Sequence, residues 1–200
     1  MKTLLQINTS LNSSEGLSSR LAAQYVAHWQ QAQPQGRVLL RDLAADPVPH
    51  LTAERFQAFL AAPEARSIKQ HALVAESDAL IGELQAADTV VIGLPMYNFG
   101  IPSTLKSWID HVARAGRTFR YTETGPLGLL ADRPTVVFAT RGGHYRGTPR
   151  DTQTPYLTHF LNFIGIRDIE FVYAEGLAMG EDARDLAIGQ AHTAIQRLAA

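Results

Sequence analysis

The sequence predicts an α/β fold in which helices cover both faces of a parallel sheet of five strands. Five short apolar runs recur along the 200 residues, and segments with the three-to-four spacing of amphipathic helices separate them. The run 88–94 (DTVVIGL) does not alternate polar and apolar residues, which is typical of a strand buried on both faces. The alternation of strand and helix predicts a doubly wound, three-layer sandwich with strand order 2-1-3-4-5.

The elements are expected in a simple order along the chain. Strands are predicted at 3–7, 37–41, 88–94, 135–140 and 167–174. Helices are predicted at 18–31, from Thr52 through Phe56, Phe59 and Leu60, and at 64–86, 103–113, 154–164 and 181–199. Ser18 is interpreted as the N-cap of the first helix. No internal repeat or linker interrupts this order, so residues 1–200 are expected to form one domain.

The segment 116–130 (GRTFRYTETGPLGLL) does not fit this alternation. It has no helical period and is rich in glycine and aromatic residues. Long excursions between the elements of a compact domain are usually functional. We therefore expect this segment to have a role beyond connecting two elements.

The composition indicates an ordinary soluble protein and excludes several classes. With 18 basic and 19 acidic residues the net charge is -1, and no basic stripe for nucleic acid or a membrane surface is visible. The absence of cysteine excludes disulfides, thiolate catalysis and cysteine-ligated metals. Neither a signal-peptide core nor an apolar segment of about 18 residues is found, so a cytoplasmic protein without a membrane span is expected.

The seven histidines lack the spacing of a metal site, and neither H-E-x-x-H nor H-x-H occurs. No metal is therefore predicted. His111 and His192 are expected to be solvated helix residues. His144 is expected to border the ligand site without being essential.

In the predicted strand order, ligands bind beyond the carboxyl ends of strands one and three, where the winding reverses. The first of three loops at that edge, 9–19 (TSLNSSEGLSS), is rich in hydroxyl groups and leads into a helix N-terminus, which attracts anions. A phosphate monoester is the expected ligand of this loop. Ser10 and Ser18 would bind it through their side chains, and Gly16 and Leu17 through their backbone. The competing interpretation is a polar loop in which Ser18 is a simple cap.

The other two loops suit a flat heteroaromatic ring. Met96, Tyr97, Asn98 and Phe99 offer apolar, aromatic and amide groups, although isolated aromatic residues more often belong to the core. The loop 140–143 (TRGG) offers two adjacent N–H groups for a developing negative charge, although such glycines more often mark a turn. P-loop and G-x-G-x-x-G motifs are absent, which favours a mononucleotide cofactor. A nucleophile elbow is absent too, which disfavours a serine hydrolase.

The chain contains the stretches RDLAADPVP, PMYNFGIPSTLKSWIDHVARAG, TFRYTETGPLGL, TRGG, FLNFIGI and AEGLAMG. Together they resemble the FMN-dependent NADH-azoreductase family, also described as quinone reductases, over nearly the whole chain. The resemblance implies a flavodoxin-like homodimer with one FMN in each subunit. It assigns FMN binding to Ser10, Gly16, Leu17, Ser18, Pro95, Met96, Tyr97, Asn98, Phe99, Thr140, Arg141, Gly142 and Gly143. Gly16 and Thr140 stand where the family often has serine.

The resemblance also implies a substrate pocket over the flavin, built with aromatic residues from both subunits. It assigns Phe99, Tyr121 and Phe163 to this pocket, with Phe56, Phe59 and Leu60 as candidate lid residues. NADH or NADPH is expected to reduce the flavin, and a quinone or azo acceptor to follow in the same pocket, in a ping-pong cycle without a catalytic side chain. The alternative is a non-catalytic electron carrier or a flavin-binding interaction protein. The near-neutral charge and the segment 116–130 favour the enzyme.

Overall fold

The computed structural model describes residues 1–199 and contains a five-stranded parallel sheet. The strands of the chain are β1 (Thr3–Asn8), β2 (Arg37–Asp42), β3 (Thr89–Pro95), β4 (Phe119–Thr122), β5 (Gly125–Gly128), β6 (Thr135–Thr140) and β7 (Ile169–Ala174). The parallel sheet has the order β2-β1-β3-β6-β7, and β4 and β5 form a separate antiparallel pair. Counted within the parallel sheet, this is the predicted order 2-1-3-4-5, which is therefore confirmed.

Six α-helices connect and cover the strands. They are α1 (Leu17–Ala32), α2 (Ala53–Leu60), α3 (Ile68–Ala86), α4 (Ser103–Val112), α5 (Gln153–Ile164) and α6 (Glu181–Ala199). Short 3-10 helices lie at Ser13–Glu15 and Pro63–Ala65. No helix within residues 1–199 has the length and apolarity that a membrane crossing requires.

The core has two halves, one on each face of the sheet. All seven residues of β3 are buried, and their side chains alternate between the two halves. Val90 and Ile92 pack with residues of α3, α4 and α5, whereas Val91 packs with residues of α1 and α6. This two-sided burial explains why the strand is apolar at nearly every position.

The start of α3 differs from the helix predicted at 64–86. A 3-10 helix occupies Pro63–Ala65, and α3 begins at Ile68. Ser67 and Gln70 form a capping box, in which the Ser67 Oγ accepts from the Gln70 N–H (3.2 Å) and the Gln70 Oε1 from the Ser67 N–H (2.9 Å). The Ser67 cap defines the helix start, and apolar periodicity alone could not locate it.

The segment 116–130 forms a β-hairpin, because β4 pairs with β5 within it. Phe119 is buried at the base of the hairpin, with its ring centroid 4.2 Å from that of Phe163. At the same base Gly128 lies against the end of α5, where an added Cβ would be 2.3 Å from the Gly165 N. Gly165 itself has a φ of 113° and terminates α5 in the left-handed conformation.

His111 is fully buried, so its prediction as a solvated helix residue is wrong. Its ring Nδ1 lies 2.9 Å from the Ser107 carbonyl oxygen, one turn earlier in α4. Its edge meets the Phe59 ring at a centroid distance of 5.8 Å. Burial lowers the pKa of His111, which favours the neutral ring. His192, by contrast, is exposed on α6 as expected.

Candidate functional site

Three loops converge at the carboxyl edge of the parallel sheet, following β1, β3 and β6. The register places Asn8 beside Gly93 and Pro95 beside Thr140, so the three strands end close together. The Thr9 hydroxyl donates to the Gly93 carbonyl oxygen at 2.7 Å, and the backbone N–H at position 96 donates to the carbonyl oxygen at position 140 at 2.9 Å. These bonds join the loops into one surface.

The first loop differs from the prediction in its capping residue. The N-cap of α1 is Gly16, and Ser18 lies within the first turn of the helix rather than before it. Ser18 is completely buried, and its Oγ has no hydrogen-bond partner within residues 1–199. The first backbone N–H groups of a helix also lack intrahelical acceptors. The start of α1 therefore contains several unused donors in one place.

Glycine at position 16 is explained by the Ser10 side chain. An added Cβ on Gly16 would lie 2.1 Å from the Ser10 Oγ, so the two side chains compete for the same space. Gly93 has a related role on β3, because its added Cβ would lie 3.0 Å from the backbone carbonyl carbon of Ser18. The two glycines bring Ser10 and the start of α1 close to the end of the sheet.

The carboxylate of Asp42 holds the first loop in place. It accepts a short hydrogen bond from the Ser13 hydroxyl and further bonds from the N–H groups of Ala44 (3.0 Å) and Ala45 (3.2 Å). Burial would raise the pKa of Asp42, but these hydrogen bonds outweigh it and lower the pKa. Ser13 has a φ of 50°, a left-handed conformation that this contact helps to maintain.

The second loop is a tight turn between Tyr97 and Gly100. The Tyr97 N–H donates to the Gly100 carbonyl oxygen (3.2 Å), and the Gly100 N–H donates to the Tyr97 carbonyl oxygen (2.9 Å). The central residues Asn98 and Phe99 have φ values of 50° and 65°. Asparagine adopts this left-handed conformation more readily than most residues, whereas for phenylalanine it costs roughly 1–2 kcal/mol. Strained backbone of this kind clusters at functional sites.

Two side chains of this turn, Tyr97 and Phe99, have different contacts and suggest different roles. The Tyr97 hydroxyl accepts from the Leu11 N–H at 3.2 Å and lies 3.4 Å from the Ser10 Oγ, so it connects the second loop with the first. Phe99 is 53% exposed, and its ring meets the edge of Tyr145 at a centroid distance of 5.7 Å. An exposed phenyl ring beside another aromatic ring offers an apolar surface to a ligand.

The third loop is braced by Arg141, which is completely enclosed by protein. Its guanidinium donates to Asp151 at 2.7 Å and to Glu175 at 3.1 Å, and its backbone N–H donates to a β7 carbonyl oxygen at 2.9 Å. Arg141 therefore supports the loop rather than presenting its charge at the edge. The N–H groups of Gly142 and Gly143 donate to no other group within residues 1–199. They remain free for a ligand.

Comparison with known proteins identifies the family to which this chain is related. A family model described as a flavodoxin-like fold matches residues 1–199. A protein of Cellvibrio japonicus called FMN-dependent NADH:quinone oxidoreductase is 54% identical over 201 residues, covering 100% of both chains. The chain belongs to this flavodoxin-like family of FMN-dependent NADH:quinone oxidoreductases. A family member of the same name from Alcanivorax borkumensis is 53% identical, covering 95% of this chain and 96% of its own.

Solved structures of family members agree in fold over the full length. An azoreductase from Bacillus anthracis strain Sterne superposes with a TM-score of 0.90 at 26% identity, covering 100% of this chain and 99% of its own. An FMN-dependent NADH-azoreductase from Bacillus anthracis strain Ames Ancestor, crystallised in complex with FMN, gives a TM-score of 0.88 at 27% identity, with 100% of both chains covered.

The residues predicted to bind substrate are only partly brought together. Tyr121 is 74% exposed on the hairpin, and it lines a cavity of about 470 Å³ with the candidate lid residues of α2. Those lid residues are Phe56, Phe59 and Leu60. Phe163 is linked to this cavity through its contact with Phe119, which also lines it. Phe99 does not line it and lies instead beside Tyr145.

Sequence reasoning missed three residues that shape the site. The Tyr145 hydroxyl would lie 2.9 Å from an added Cβ on Gly143, so this ring covers the third loop. The Thr152 hydroxyl donates to the Phe99 carbonyl oxygen, and the Gln153 amide donates to the second loop. No sequence motif marks these residues. Only their contacts with distant loops indicate a role. His144, which was expected to border the site, is exposed on the third loop.

Proposed function

We propose that this protein is an FMN-dependent oxidoreductase that uses NADH or NADPH to reduce quinones and to cleave azo compounds. The observation that carries the proposal is the buried, unpartnered Ser18 hydroxyl at the start of α1. A buried hydroxyl without a partner is costly, and a bound phosphate would supply the missing acceptor. The names of the family members given above support the same cofactor and reaction.

The residues of the first loop fit the phosphate group of FMN. The hydroxyls of Ser10 and Ser18 would donate to its oxygens, as would the N–H group of Leu17. The Gly16 N–H donates to the Ser13 carbonyl oxygen at 3.4 Å and would exchange this long bond for one to the phosphate. The helix dipole of α1 adds a favourable interaction with the negative charge. No basic side chain is needed, because neutral donors and the dipole provide the binding.

The second and third loops fit the ring. Pro95, Met96, Tyr97, Asn98 and Phe99 would line it, and the segment Thr140–Gly143 would lie at its edge. FMN, when bound, supplies a ring that takes hydride from a nicotinamide and passes the electrons to an acceptor. The free N–H groups of Gly142 and Gly143 would stabilise negative charge at the ring edge. Arg141 would hold these two glycines in position through its buried ion pairs.

Substrates would bind against exposed aromatic side chains. Phe99 would cover one side of the ring. Tyr121 would provide a second apolar wall on the hairpin, together with Phe119, whose ring contacts both Tyr121 and Phe163. Because these walls are separate in one chain, a homodimer that pairs Phe99 of one subunit with the hairpin of another would complete the pocket. The family names favour this enzyme over an electron carrier.

Spectroscopy of the purified protein tests the proposal. The expected result is a yellow protein that releases FMN on denaturation, loses its oxidised flavin spectrum when mixed with NADH or NADPH, and regains it on addition of a quinone. Failure to bind added FMN would reject the cofactor. Bound FMN that neither nicotinamide reduces would reject the enzyme and leave the electron carrier as the explanation.

A further inference from the structure

The turn of the second loop depends on contacts from another part of the chain. Its centre, Asn98 and Phe99, is left-handed, and its own bonds join only Tyr97 and Gly100. A two-residue turn of this type favours glycine or asparagine, and a phenylalanine in it needs support from outside. That support comes from the start of α5, more than fifty residues later.

Gln153 contacts both ends of the turn. Its Nε2 donates to the Pro95 carbonyl oxygen at 2.9 Å, where β3 ends, and to the Gly100 carbonyl oxygen at 2.9 Å, where the turn closes. Because both partners are carbonyl oxygens, only the NH₂ end of the amide can face them. Gln153 is completely buried, and its Oε1 has no partner within residues 1–199. The neighbouring Thr152 hydroxyl donates to the Phe99 carbonyl oxygen.

We propose that Gln153 is a positioning residue for the flavin ring, acting by clamping the two ends of the Pro95–Gly100 turn. It acts through Tyr97, Asn98 and Phe99, and it needs no contact with the ring itself. The clamp keeps the strained turn in a single geometry before the cofactor arrives, so the cofactor need not order it. This inference rests on the proposed function, since it assumes that FMN binds at this turn.

The test compares FMN binding by the wild type with that of Gln153→Met, which keeps side-chain volume but removes both donors. We expect the FMN dissociation constant to rise about tenfold, since two hydrogen bonds are lost and the ligand senses part of that loss. The turnover with NADH should fall further at saturating FMN, because the ring is held less uniformly. Isothermal titration of the apoprotein and steady-state kinetics give the two values.

A matched control separates positioning from general stability. Ser77→Ala likewise removes two buried hydrogen bonds, at the opposite end of α4. The Ser77 hydroxyl donates to the His111 carbonyl oxygen at 2.5 Å and accepts from the Arg114 guanidinium at 3.1 Å. This variant should lower the melting temperature of the apoprotein without changing FMN affinity. Equal loss of FMN affinity in both variants, or wild-type affinity in Gln153→Met, would overturn the proposal.

Two further variants keep the proposal testable if Gln153→Met folds poorly. Thr152→Val changes an exposed residue and removes only the bond to the Phe99 carbonyl oxygen, so it should fold normally and weaken FMN binding about threefold. In Gln153→Glu the carboxylate would face two carbonyl oxygens, so FMN affinity should recover as acid restores one donor. An unchanged affinity in Thr152→Val and a pH profile like that of the wild type in Gln153→Glu would also overturn it. A wild-type protein that binds no FMN would instead reject the proposed function.

Discussion

The two edges of the parallel sheet differ in how completely their buried polar groups are hydrogen-bonded. Near the amino ends of the strands, the side chains of Asp132 and Arg133 form hydrogen bonds with several backbone N–H and carbonyl groups. At the carboxyl ends, side-chain atoms remain buried without partners within residues 1–199; they belong to Ser18, Ser19, Thr104, Arg141 and Gln153. The other two such atoms belong to Arg66, which precedes α3, and to His111, in the last turn of α4.

At the amino edge, two side chains form hydrogen bonds with the surrounding backbone. The Asp132 Oδ1 accepts from the N–H groups of Arg133 (2.9 Å), Arg167 (2.7 Å) and Asp168 (3.1 Å). The Arg133 guanidinium donates to the carbonyl oxygens of Leu84, Ala87 and Ala131. These two neighbouring side chains join the start of β6 to the end of α3 and to the start of β7.

The difference indicates where the molecule is specialised for stability and where for binding. An unpartnered buried polar atom costs roughly 1–3 kcal/mol. Among these atoms, the Ser18 hydroxyl at the start of α1 is explained if a ligand provides the missing partner. At the opposite edge, the side chains of Asp132 and Arg133 provide such partners for the backbone.

The largest expected effect is at the amino edge. Arg133→Met should lower the free energy of unfolding by about 3 kcal/mol, because three carbonyl oxygens lose a charged donor that is 8% exposed. Urea unfolding of the apoprotein measures this change. Arg197→Met, which removes an exposed pair with Glu170, is the control and should cost well under 1 kcal/mol. A fully stable Arg133→Met would refute the assignment of stability to this edge.

At the carboxyl edge, Ser18→Ala should change binding and stability in opposite directions. We expect the FMN dissociation constant to rise about tenfold, whereas the apoprotein should be as stable as the wild type or more stable, since an unpartnered hydroxyl has been removed. Titration with FMN and thermal unfolding of the apoprotein measure the two effects. Ser14→Ala, in the exposed part of the same loop, should change neither. Destabilisation of the apoprotein by Ser18→Ala would show that Ser18 has an internal partner.

A change in the hairpin is expected to affect binding of the acceptor and not binding of the cofactor. Tyr121→Ala should raise the KM for quinones about fivefold, the equivalent of roughly 1 kcal/mol for a lost aromatic contact, and leave the FMN content unchanged. Steady-state kinetics with varied quinone measures the change. Leu186→Ala, an exposed apolar residue on α6, is the control. If the variant unfolds or loses FMN instead, the tyrosine belongs to the structure rather than to the pocket.

The smallest expected effect is on the loss of folding stability at low pH. Hydrogen bonds from the N–H groups of Arg167 and Asp168 lower the pKa of Asp132. Its stabilising contribution is therefore present above the unfolded pKa of about 4 and is lost as pH falls through the lower folded pKa. Asp132→Asn should reduce the stability difference between pH 7 and pH 3, as measured by urea unfolding at both values. An unchanged difference would show that other carboxyl groups determine the acid response.

The parallel sheet was predictable from the sequence, because strands buried on both faces leave uninterrupted apolar runs such as Val90–Ile92. The edge at which we propose that FMN binds followed from the strand order. The positions of the loops that carry Ser10 and Asn98 were therefore predictable as well. These features depend on local pattern and topology, which a single sequence records directly.

Contacts between distant residues were not predictable. The prediction of Ser18 as the N-cap was wrong, because α1 begins at Leu17 with Gly16 as its cap, a boundary that apolar periodicity does not locate. The burial of His111 depends on Phe59, and the clamp of Gln153 joins residues 53 and 58 positions away. Polar residues in helices usually face solvent, so their sequence offers no sign of these internal roles.

The close approach of Gly128 to Gly165 limits how the hairpin can evolve or be redesigned. A side chain at either position would collide with backbone, so the base of the hairpin is locked to the end of α5. We expect inserted residues or altered sequences to be tolerated at the tip, around Glu123 and Thr124, where the side chains are exposed. Diversity in acceptor choice among related enzymes is therefore expected to arise at the tip, as loop variation on a rigid stem.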